Sequence, residues 1–522
     1  MININSYPDG CTLITDDKKE TVFGYGDKWG YRDFMLTIKD GVIRITAEKT
    51  PIKTVFLRWN CEMEPNLRFL GDAFERGYGK LSFQGYTFNR IMPWYFIATD
   101  GEKNYGCGVK TNSDACVFWE TDAQGITMVI DTRCGGDGVV LDGKVITAGE
   151  LVYAENTGDC FDFACDYCKL MCDNPLLPKA PVYGSNNWYY AYGKSSYMDI
   201  MRDTRILSDL TEVNENRPYM VIDDCWQPLA RTTGAAGRPI HCGNEFFPDM
   251  QALAYDMKVY DVKPGIWFRP IRTHEKFLPQ ELISDRDKEC FDLTNPDALE
   301  LIAEDTRRLV DWGYELIKYD FVTYDVYGTF GSHDINFLQT KSGWHWHDRS
   351  VTNAVAIKNL YDVIHENAGD AVLIGCNAIG HLAAGKIHIH RSGDDTSGRN
   401  WYTTLHKGVN TLAFRLPQNK AFFNIDADCV GATEKVPWKM NRLFLDLVAK
   451  SGSPLFCSIK PSAFDDDMCD DMFIAYRTNS KQQNSIKPLD WTNNTTPRKW
   501  LIDGEECEYD WIEQNGETDF IL

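Results

Sequence analysis

Short apolar runs separated by polar residues dominate the first 180 residues of the chain, where helical periodicity is scarce. Runs of this kind predict β-strands rather than helices. The clearest examples lie at residues 42–46, 55–59, 94–97, 115–119 and 126–130. Asp142-Gly143, between apolar residues 139–141 and 145–147, also predicts a tight hairpin. Residues 1–180 are therefore predicted to form an N-terminal antiparallel β-sandwich.

After Pro181 the pattern changes to short apolar strands separated by longer amphipathic stretches. The best-defined helix is expected to follow Thr294 or Asn295 as N-cap, with Pro296 in its first turn, and to run to Trp312. Strand candidates lie at residues 182–185, 219–222, 263–268, 316–321, 371–375, 386–390, 421–424 and 453–457. Eight strands in about 280 residues predict a central (β/α)8 TIM barrel over residues 181–460. Residues 461–522 are predicted to form a small C-terminal β-strand domain, which makes the protein multidomain.

Composition and charge narrow the function. The chain has 522 residues with 76 Asp and Glu against 54 Lys and Arg, a formal net charge of −22, which argues against nucleic acid or an anionic membrane as partner. Aromatic residues make up 13%, and such rings serve both packed cores and sugar-binding clefts.

The chain shows no signal peptide, and no apolar run approaches the roughly 18 residues that span a bilayer. Seventeen cysteines, an odd number, leave at least one thiol unpaired. We expect a cytoplasmic enzyme without a cofactor.

Polar residues end several of the otherwise apolar strands in the central segment. They are Asp223-Asp224-Cys225-Trp226, Lys318-Tyr319-Asp320, Gly375-Cys376-Asn377 and Arg391-Ser392-Gly393-Asp394-Asp395. In parallel barrels the carboxyl ends of the strands carry the active site, so these four clusters are the candidate functional residues.

The fourth strand can be examined by its alternation. Lys318 and Asp320 share one face of the strand, while Tyr319 lies on the other. If the polar face points into the barrel mouth, the ammonium group keeps Asp320 ionised at neutral pH, as a carboxylate nucleophile requires. A purely structural Lys–Asp pair is the alternative interpretation.

Four histidines are weak candidates for metal binding. His388 and His390 share the strand face opposite to that of Arg391, which favours packing roles over zinc binding. His345 and His347 lie in a long loop, and no third ligand stands at motif spacing. We therefore expect no metal site.

Two carboxylates from different strands suit glycoside hydrolysis, in which one attacks or activates water and the other protonates the leaving oxygen. A sugar-binding protein without catalysis is the alternative from another class. It predicts a missing carboxylate, whereas both are present.

A series of motifs over residues 183–458 resembles the melibiase/raffinose-synthase family of retaining α-galactosidases. In chain order they are Trp188 within Asn186-Asn187-Trp188-Tyr189, Asp223-Asp224 with Trp226, Phe247-Pro248, Gly265-Ile266-Trp267, Asp292-Leu293-Thr294-Asn295-Pro296, Trp312-Gly313, Ile317-Lys318-Tyr319-Asp320-Phe321, Gly375-Cys376, Arg391 with Gly393 and Asp395-Thr396, and Asn424-Ile425-Asp426-Ala427-Asp428-Cys429. Each motif is weak alone, and their order and spacing carry the resemblance.

The resemblance implies a role for each matched position. Asp320 would be the nucleophile and Asp395 the general acid/base, with Asp394 as the rival for the second role. Asp223 and Asp224 would hold the galactose 4- and 6-hydroxyls, and Lys318 and Arg391 would contact sugar hydroxyls and tune the carboxylates. Trp188 and Trp267 would wall the subsite, and Cys376 with Asn377 would lie near the 2-hydroxyl. The implied substrate is an α-galactoside oligosaccharide, and a homo-oligomer is possible.

Departures from the family pattern leave the substrate open. Residues 424–428 read Asn-Ile-Asp-Ala-Asp where the family has Asn-Asp-Pro-Asp, and residues 375–378 replace a more Gly/Ser-rich sequence. An α-N-acetylgalactosaminidase or a raffinose-synthase-like galactosyl transferase therefore remains an alternative. In the N-terminal part, residues 72–79 are either a turn of the sandwich or a loop that reaches over the cleft with Phe74.

Overall fold

The computed structural model describes residues 2–87, 90–233, 236–331, 340–481 and 485–511. Its N-terminal part is one connected antiparallel sheet of thirteen strands in the order β7-β9-β10-β13-β5-β4-β3-β2-β1-β6-β12-β11-β8. The strands are β1 Gly10–Thr15, β2 Lys19–Tyr25, β3 Lys28–Tyr31, β4 Phe34–Lys39, β5 Val42–Thr46, β6 Ile52–Asn60, β7 Arg68–Gly71, β8 Met92–Pro93, β9 Tyr95–Thr99, β10 Lys103–Val109, β11 Cys116–Asp122, β12 Gly125–Asp131 and β13 Val145–Thr157. The predicted antiparallel β-structure is confirmed, and the division into two packed sheets stays a prediction.

Alternation along the strands explains how this sheet forms. In β4, Phe34, Leu36 and Ile38 are buried while the residues between them are more exposed, as expected for a strand with one face on the core. Apolar residues of this sheet and of the following parallel domain belong to one continuous core. The two parts of the molecule therefore pack through apolar side chains.

Two local expectations in this part are wrong. The turn at Asp142-Gly143 forms, with φ of 51° and 77°. Its flanking segments do not pair with each other, however, because β13 pairs with β5 and β10 and Val139 bridges Ile52. The sequence analysis also missed helix α1, Cys160–Met171, which Asp159 caps. The order Phe161-Asp162-Phe163 alternates like a strand and conceals the helix.

The central part is a parallel sheet of nine strands in the order β20-β19-β18-β17-β16-β15-β14-β22-β21. The strands are β14 Tyr183–Asn186, β15 Tyr219–Ile222, β16 Lys263–Phe268, β17 Leu316–Tyr319, β18 Val372–Gly375, β19 Ile389–Arg391, β20 Asn424–Asp426, β21 Val430–Ala432 and β22 Leu455–Ile459. The helices are α2 Trp188–Ala191, α3 Tyr197–Leu210, α4 Ala230–Thr233, α5 Met250–Val259, α6 Pro296–Asp311, α7 Val322–Tyr327, α8 Asn353–Asn367, α9 Gly380–Ala383, α10 Trp401–Thr403, α11 Thr411–Arg415 and α12 Trp438–Lys450, with a π-helical turn at Thr404–Asn410 and 3₁₀ turns at Gln280–Leu282 and Leu416–Gln418.

The two ends of this sheet are consecutive in the chain. β20 pairs with β19, β21 pairs with β22, and only residues 427–429 separate β20 from β21. The seventh strand, predicted at residues 421–424, is therefore replaced by two short strands. The first begins at residue 424 and the second at residue 430. The alternation of parallel strands and helices is confirmed. Helix α6 also begins as predicted, because the Asn295 side chain accepts from the backbone N–H groups of Asp297 and Ala298.

The C-terminal part begins with a helix that the sequence analysis missed, where it predicted only turns and short strands. Helix α13, Asp466–Asn479, is capped by Asp465, and the Tyr476 hydroxyl donates to the Gly184 carbonyl in β14 at 3.0 Å. A three-stranded antiparallel sheet follows, formed by β23 Ile486–Pro488, β24 Lys499–Ile502 and β25 Glu505–Glu508. The predicted domain boundaries at residues 180 and 460 stay predictions.

Candidate active site

The predicted site residues follow from the alternation of the parallel strands. A small apolar cluster inside the sheet contains Val221 of β15, Leu316 of β17, Ile374 of β18 and Ile389 of β19. The residue two positions after each of these apolar residues has its side chain on the same face of the sheet. These four residues are Asp223, Lys318, Cys376 and Arg391. An apolar layer thus lies below a polar layer at the carboxyl ends of the strands. The other predicted residues lie at the same ends: Trp188 in α2, Asp224 after β15, Trp267 in β16, Asp320 after β17, Asn377 after β18 and Asp395 after β19.

Asp223 is the buried centre of one half of this layer. One of its carboxylate oxygens accepts hydrogen bonds from Lys318 Nζ and from Asn186 Nδ2, both at 2.7 Å. Its backbone N–H donates to Asn187 Oδ1 at 2.8 Å. Burial disfavours the charge of Lys318, but the Asp223 carboxylate outweighs it and raises the pKa of Lys318. The expectation that Lys318 pairs with Asp320 is therefore wrong, because the ammonium group pairs with Asp223.

Asp224 has a different environment from its neighbour. Burial raises the pKa of Asp224 to about 7, and the negative charges of Asp223 and Asp320 act in the same direction. The Cys225 backbone N–H, which donates to Asp224 at 2.5 Å, opposes this effect. At neutral pH Asp224 is therefore protonated in a substantial fraction of molecules.

Asp320 is held by neutral donors. The Phe321 backbone N–H donates to one carboxylate oxygen at 2.7 Å, and Trp267 Nε1 donates to the other at 3.3 Å. Phe321 has φ of 65°. Arg269 lies 4.2 Å from the Phe321 ring and donates from Nε to the buried Asp325 at 2.8 Å. This buried pair supports the turn that presents Asp320.

Asp395 lies between two guanidinium groups. Arg391 Nη2 is 3.1 Å and Arg76 Nη1 is 3.4 Å from the same carboxylate oxygen. Arg76 also reaches the rival carboxylate, with Nη2 2.9 Å from Asp394, which pairs with Lys407 as well. The Asp395 side chain is 43% exposed, against 16% for that of Asp394, so Asp395 is the more accessible of the two.

The charge around Asp395 determines its protonation. Partial desolvation opposes the ionised form, but the two guanidinium groups and Lys318 outweigh it and lower the pKa of Asp395 to about 2. Asp395 is therefore a carboxylate at neutral pH in the free protein. It can accept a proton as it stands, whereas donating one requires prior protonation against two cations.

Cys376 and Asn377 have separate surroundings. The buried Cys376 thiol lies 3.6 Å from Arg391 Nη1 and 3.7 Å from Arg76 Nη1, and burial raises its pKa well above the usual range. Asn377, with φ of 55°, donates to Glu75 at 2.9 Å and accepts from Thr323 at 2.8 Å. Cys376 thus joins the charged layer, whereas the Asn377 side chain is used in contacts with neighbouring loops.

The two predicted tryptophans differ in accessibility. Trp267 is only 1% exposed, and its indole N–H contacts Asp320. Trp188 is partly buried and packs against Tyr192 with ring centroids 5.4 Å apart. Trp267 therefore positions a carboxylate, while Trp188 offers part of a ring face.

The sequence analysis assigned no role to two further carboxylates, Asp426 and Asp428, at the break between β20 and β21. Asp428 lies 3.1 Å from Arg391 Nη2 and accepts from the Thr396 N–H at 2.8 Å and from the Tyr189 hydroxyl. Burial raises the pKa of Asp426 to about 6. Acidic and apolar residues alternate here at the end of a strand, and this pattern could have identified both carboxylates as candidate site residues.

The histidines make packing and backbone contacts. His390 stacks on Phe423 with centroids 4.8 Å apart, and His388 Nδ1 accepts from the Leu373 N–H at 3.0 Å. In the loop, His345 lies 2.8 Å from the Trp346 carbonyl, and His347 lies 3.1 Å from the Glu281 carbonyl. Among the described residues no cluster of three His, Cys, Asp or Glu side chains could hold a metal ion.

Within the described part of the chain, no helix is long and apolar enough to cross a membrane. All seventeen cysteines are free thiols. These two observations do not test the predicted cytoplasmic location, which stays a prediction.

Of the two alternatives for residues 72–79, a turn of the sandwich or a loop that reaches over the cleft with Phe74, the structure shows a loop that reaches the site through another residue than Phe74. Phe74 is 4% exposed and stacks on Trp94 and Phe118, with centroid distances of 5.8 and 5.6 Å. Arg76, two residues later, makes the contacts with Asp394 and Asp395. No local pattern in the sequence singles out this arginine.

The fold is similar to that of solved α-galactosidases. The α-galactosidase TtGalA from Thermus thermophilus, solved with p-nitrophenyl α-D-galactopyranoside, has a TM-score of 0.60 and 16% identity, with 95% of this chain and 98% of that chain covered. The GH36 α-galactosidase AgaA from Geobacillus stearothermophilus has a TM-score of 0.55 and 11% identity, with 96% and 75% covered. A cycloalternan-forming enzyme from Listeria monocytogenes has a TM-score of 0.53 and 13% identity, with 94% and 54% covered.

No protein-family model and no curated protein sequence matches the chain. At these identities the structural likeness shows the fold alone, which is similar to that of the solved α-galactosidases.

Proposed function

We propose that the protein is a retaining glycoside hydrolase that removes terminal α-galactosyl residues from oligosaccharides. One observation carries the proposal: Asp320 and Asp395 lie at the carboxyl ends of β17 and β19, at the polar rim of a parallel sheet whose fold is shared with α-galactosidases. Carboxylates presented by different strands at this end are the arrangement that glycoside hydrolysis requires.

Asp320 is the proposed nucleophile. Its carboxylate attacks the anomeric carbon as the bond from that carbon to the leaving oxygen breaks, which gives a β-linked glycosyl-enzyme ester. The Phe321 N–H and Trp267 Nε1 fix both carboxylate oxygens with neutral hydrogen bonds. Since neither donor carries a charge, the carboxylate keeps its nucleophilicity while its orientation is defined.

Asp395 is the proposed acid/base. In the first step it gives a proton to the leaving oxygen, and in the second it takes one from the water that attacks the ester. Because the two guanidinium groups lower the pKa of Asp395 to about 2, the base role is available at neutral pH and the acid role is the demanding one. Substrates whose leaving groups need little protonation, such as nitrophenyl glycosides, should therefore react faster than unactivated oligosaccharides.

Asp223 and Asp224 are the proposed partners of the sugar hydroxyls. The two adjacent carboxyl groups lie on the same rim as Asp320, and the resemblance to α-galactosidases assigns them the 4- and 6-hydroxyls. Asp223 is fixed by Lys318 and Asn186. Asp224, which is partly protonated at neutral pH, can both donate to and accept from a hydroxyl.

The same ester can react with a sugar hydroxyl instead of water, and a cycloalternan-forming enzyme shares the fold. Glycosyl transfer is therefore the second candidate. Incubation of an aryl α-galactoside with added sucrose separates the two activities: free galactose as the main product supports hydrolysis, and a trisaccharide as the main product supports transfer.

The catalytic assignment can be tested with Asp320→Ala, Asp395→Ala and the control Asp370→Ala, whose side chain is 96% exposed. With a nitrophenyl α-galactoside, Asp320→Ala should lose at least about 10³-fold in kcat. Asp395→Ala should lose less with this activated substrate, and the control should be unaffected.

Azide distinguishes the two roles. Azide attack on the substrate in Asp320→Ala should give the β-galactosyl azide, because it replaces the nucleophile. Attack on the ester in Asp395→Ala should give the α-galactosyl azide. Near wild-type hydrolysis by Asp320→Ala, or the opposite azide products, would contradict the assignment.

A further inference from the structure

The loop at residues 72–79 docks onto the candidate active site through a buried carboxyl group. Glu75 is fully buried and contacts three residues of the parallel domain, which lie in two of its loops. It accepts from Asn377 Nδ2 at 2.9 Å and from the Gly331 N–H at 3.1 Å, and it hydrogen-bonds the Thr323 hydroxyl. These loops follow β17 and β18, so one residue of the N-terminal part ties together two loops of the rim.

The backbone of the loop also pairs with the segment that carries the acidic doublet. The Gly77 N–H donates to the Ser392 carbonyl at 2.8 Å, and the Asp394 N–H donates to the Gly77 carbonyl at 2.8 Å. A Cβ atom on Gly77 would lie 2.7 Å from the Thr411 side chain. Glycine at this position therefore permits an approach that a side chain would block.

A buried arginine of the parallel domain fixes the loop at its other end. Arg415 Nε lies 3.0 Å from Asp72, and Arg415 Nη1 donates to the Glu75 carbonyl at 2.7 Å and to the Ser392 carbonyl at 3.1 Å. Asp72 and Arg415 are both nearly inaccessible to solvent. Contacts of residues 72 and 75 before residue 76, and of residue 77 after it, thus hold the loop in its docked position.

Arg76 projects from this loop into the charged layer. Its two terminal nitrogens contact different carboxylates, Asp394 at 2.9 Å and Asp395 at 3.4 Å, and its side chain is 9% exposed. A planar guanidinium group that spans two carboxylates fixes the distance between them as well as their charge. Arg76 therefore contacts the proposed acid/base from the N-terminal part of the chain, at the same carboxylate oxygen that Arg391 contacts.

The other charged and titratable groups around Asp395 come from the parallel domain. Arg391 and Lys318 act on it as cations, and the other titratable groups around it are Asp394, Asp428, Cys376, Tyr189 and Tyr192. Arg391 is shared with Asp428, and Lys318 is paired with Asp223. Arg76 is thus the one cation facing Asp395, within the described residues, that the N-terminal part supplies.

We propose that Arg76 is a positioning residue for Asp395, so that the active site is complete only when the N-terminal loop is docked. This inference rests on the proposed function of Asp395 as acid/base. It adds that the N-terminal part, which holds none of the residues to which a catalytic or sugar-binding role is assigned, controls the orientation and protonation of one of them.

The test compares Arg76→Gln, which keeps a hydrogen-bond donor and removes the charge, with Arg76→Lys, which keeps the charge. Loss of a cation favours the protonated form of Asp395, so the alkaline limb of the kcat/KM profile should move up by about one pH unit or more in Arg76→Gln. Arg76→Lys should keep the limb near its wild-type position. We also expect kcat in Arg76→Gln to fall by about 10²-fold through misplacement of the carboxylate.

The control is Arg58→Gln, which removes a guanidinium group that pairs with Asp122 inside the N-terminal sheet. It should leave the profile unchanged. If Arg76→Gln loses activity without moving the limb, or if Arg76→Lys and Arg76→Gln behave alike, the proposal is overturned, because a merely structural role predicts that result.

A second measurement works without activity and separates this proposal from the proposed function. Arg76 stabilises ionised carboxylates in the folded state, so the stability it contributes is present at pH 6 and lost as the pH falls toward 2. The wild type should exceed Arg76→Gln in free energy of unfolding more at pH 6 than at pH 3. An equal difference at both pH values overturns the proposal, whereas failure of the wild type to hydrolyse any α-galactoside overturns only the proposed function.

Discussion

The two halves of the candidate site are built in different ways. Around Asp223 and Asp320, every described contact comes from the parallel domain, and one buried ammonium group, Lys318, balances one buried carboxylate. Around Asp395, one cation comes from the adjoining strand, and another comes from a loop more than 300 residues earlier in the sequence. The first half depends on strand geometry, and the second depends on how two parts of the chain pack.

This difference also separates the protonation of the carboxyl groups. Burial dominates at Asp224 and raises its pKa to about 7, whereas neighbouring cations dominate at Asp395 and lower its pKa to about 2. The pKa values of two acidic groups on one rim are thus shifted in opposite directions. Substitutions can therefore disrupt one half of the site without the other.

Lys318→Met should cause the largest loss of stability, on the half built by one domain. The change leaves Asp223 buried without its cation, which should lower the free energy of unfolding by about 3–5 kcal/mol, measured by urea denaturation. Adding Asp223→Asn should restore part of that stability while activity stays lost. A decrease that the second change does not relieve would show that the pair is not the cause.

The control for Lys318→Met is Lys179→Met, which breaks an ion pair whose side chains are 91% and 96% exposed. We expect no measurable change in its urea midpoint, because solvent already screens this pair.

Thr323→Val should have an intermediate effect and acts on the other half. The buried Thr323 hydroxyl contacts Glu75 and Asn377, so its loss leaves buried polar atoms unsatisfied at about 1–3 kcal/mol. If docking of the loop matters for catalysis, kcat should fall as well. Thr306→Val removes a buried hydroxyl that donates within its own helix at 2.9 Å, and it should leave kcat unchanged. Equal kcat values for the two variants would contradict the role of the docked loop.

The first half of the site could be predicted from the sequence for a physical reason. Alternation along β15 and β17 places Asp223 and Lys318 on the same face, and a parallel sheet brings their strand ends together. Alternation does not specify partners across the rim, however. The sequence suggested that Lys318 pairs with Asp320, two residues away on the same strand face. In the structure Lys318 pairs with Asp223 instead.

The second half could not be predicted in the same way. Arg76 reaches Asp395 because the N-terminal loop docks by close backbone approach at Gly77 and through buried contacts of Glu75. Such contacts join residues far apart in the chain, and no local pattern marks them. Helix α1 was missed because its first residues alternate like those of a strand, and the segment of α13 was predicted as turns and short strands.

For any one pH unit, Asp224→Asn should have the smallest effect, and this effect is on the pH dependence of stability. The carboxyl group has a pKa of about 3.9 in the unfolded chain and about 7 in the folded one, so the folded state binds the extra proton between these values. Stability therefore falls as the pH rises from 4 to 7, with a slope of at most about 1.4 kcal/mol per pH unit from this group. The variant should remove that contribution, and identical pH profiles of the two proteins would refute the buried environment of Asp224.

The proposed mechanism is a double displacement on an α-galactoside, carried out by Asp320 and Asp395. Proton NMR of the first minutes of hydrolysis of p-nitrophenyl α-galactoside tests it most directly, because two inversions at the anomeric carbon retain the configuration. α-Galactose is expected to form first and to mutarotate afterwards. β-Galactose as the first product would contradict it.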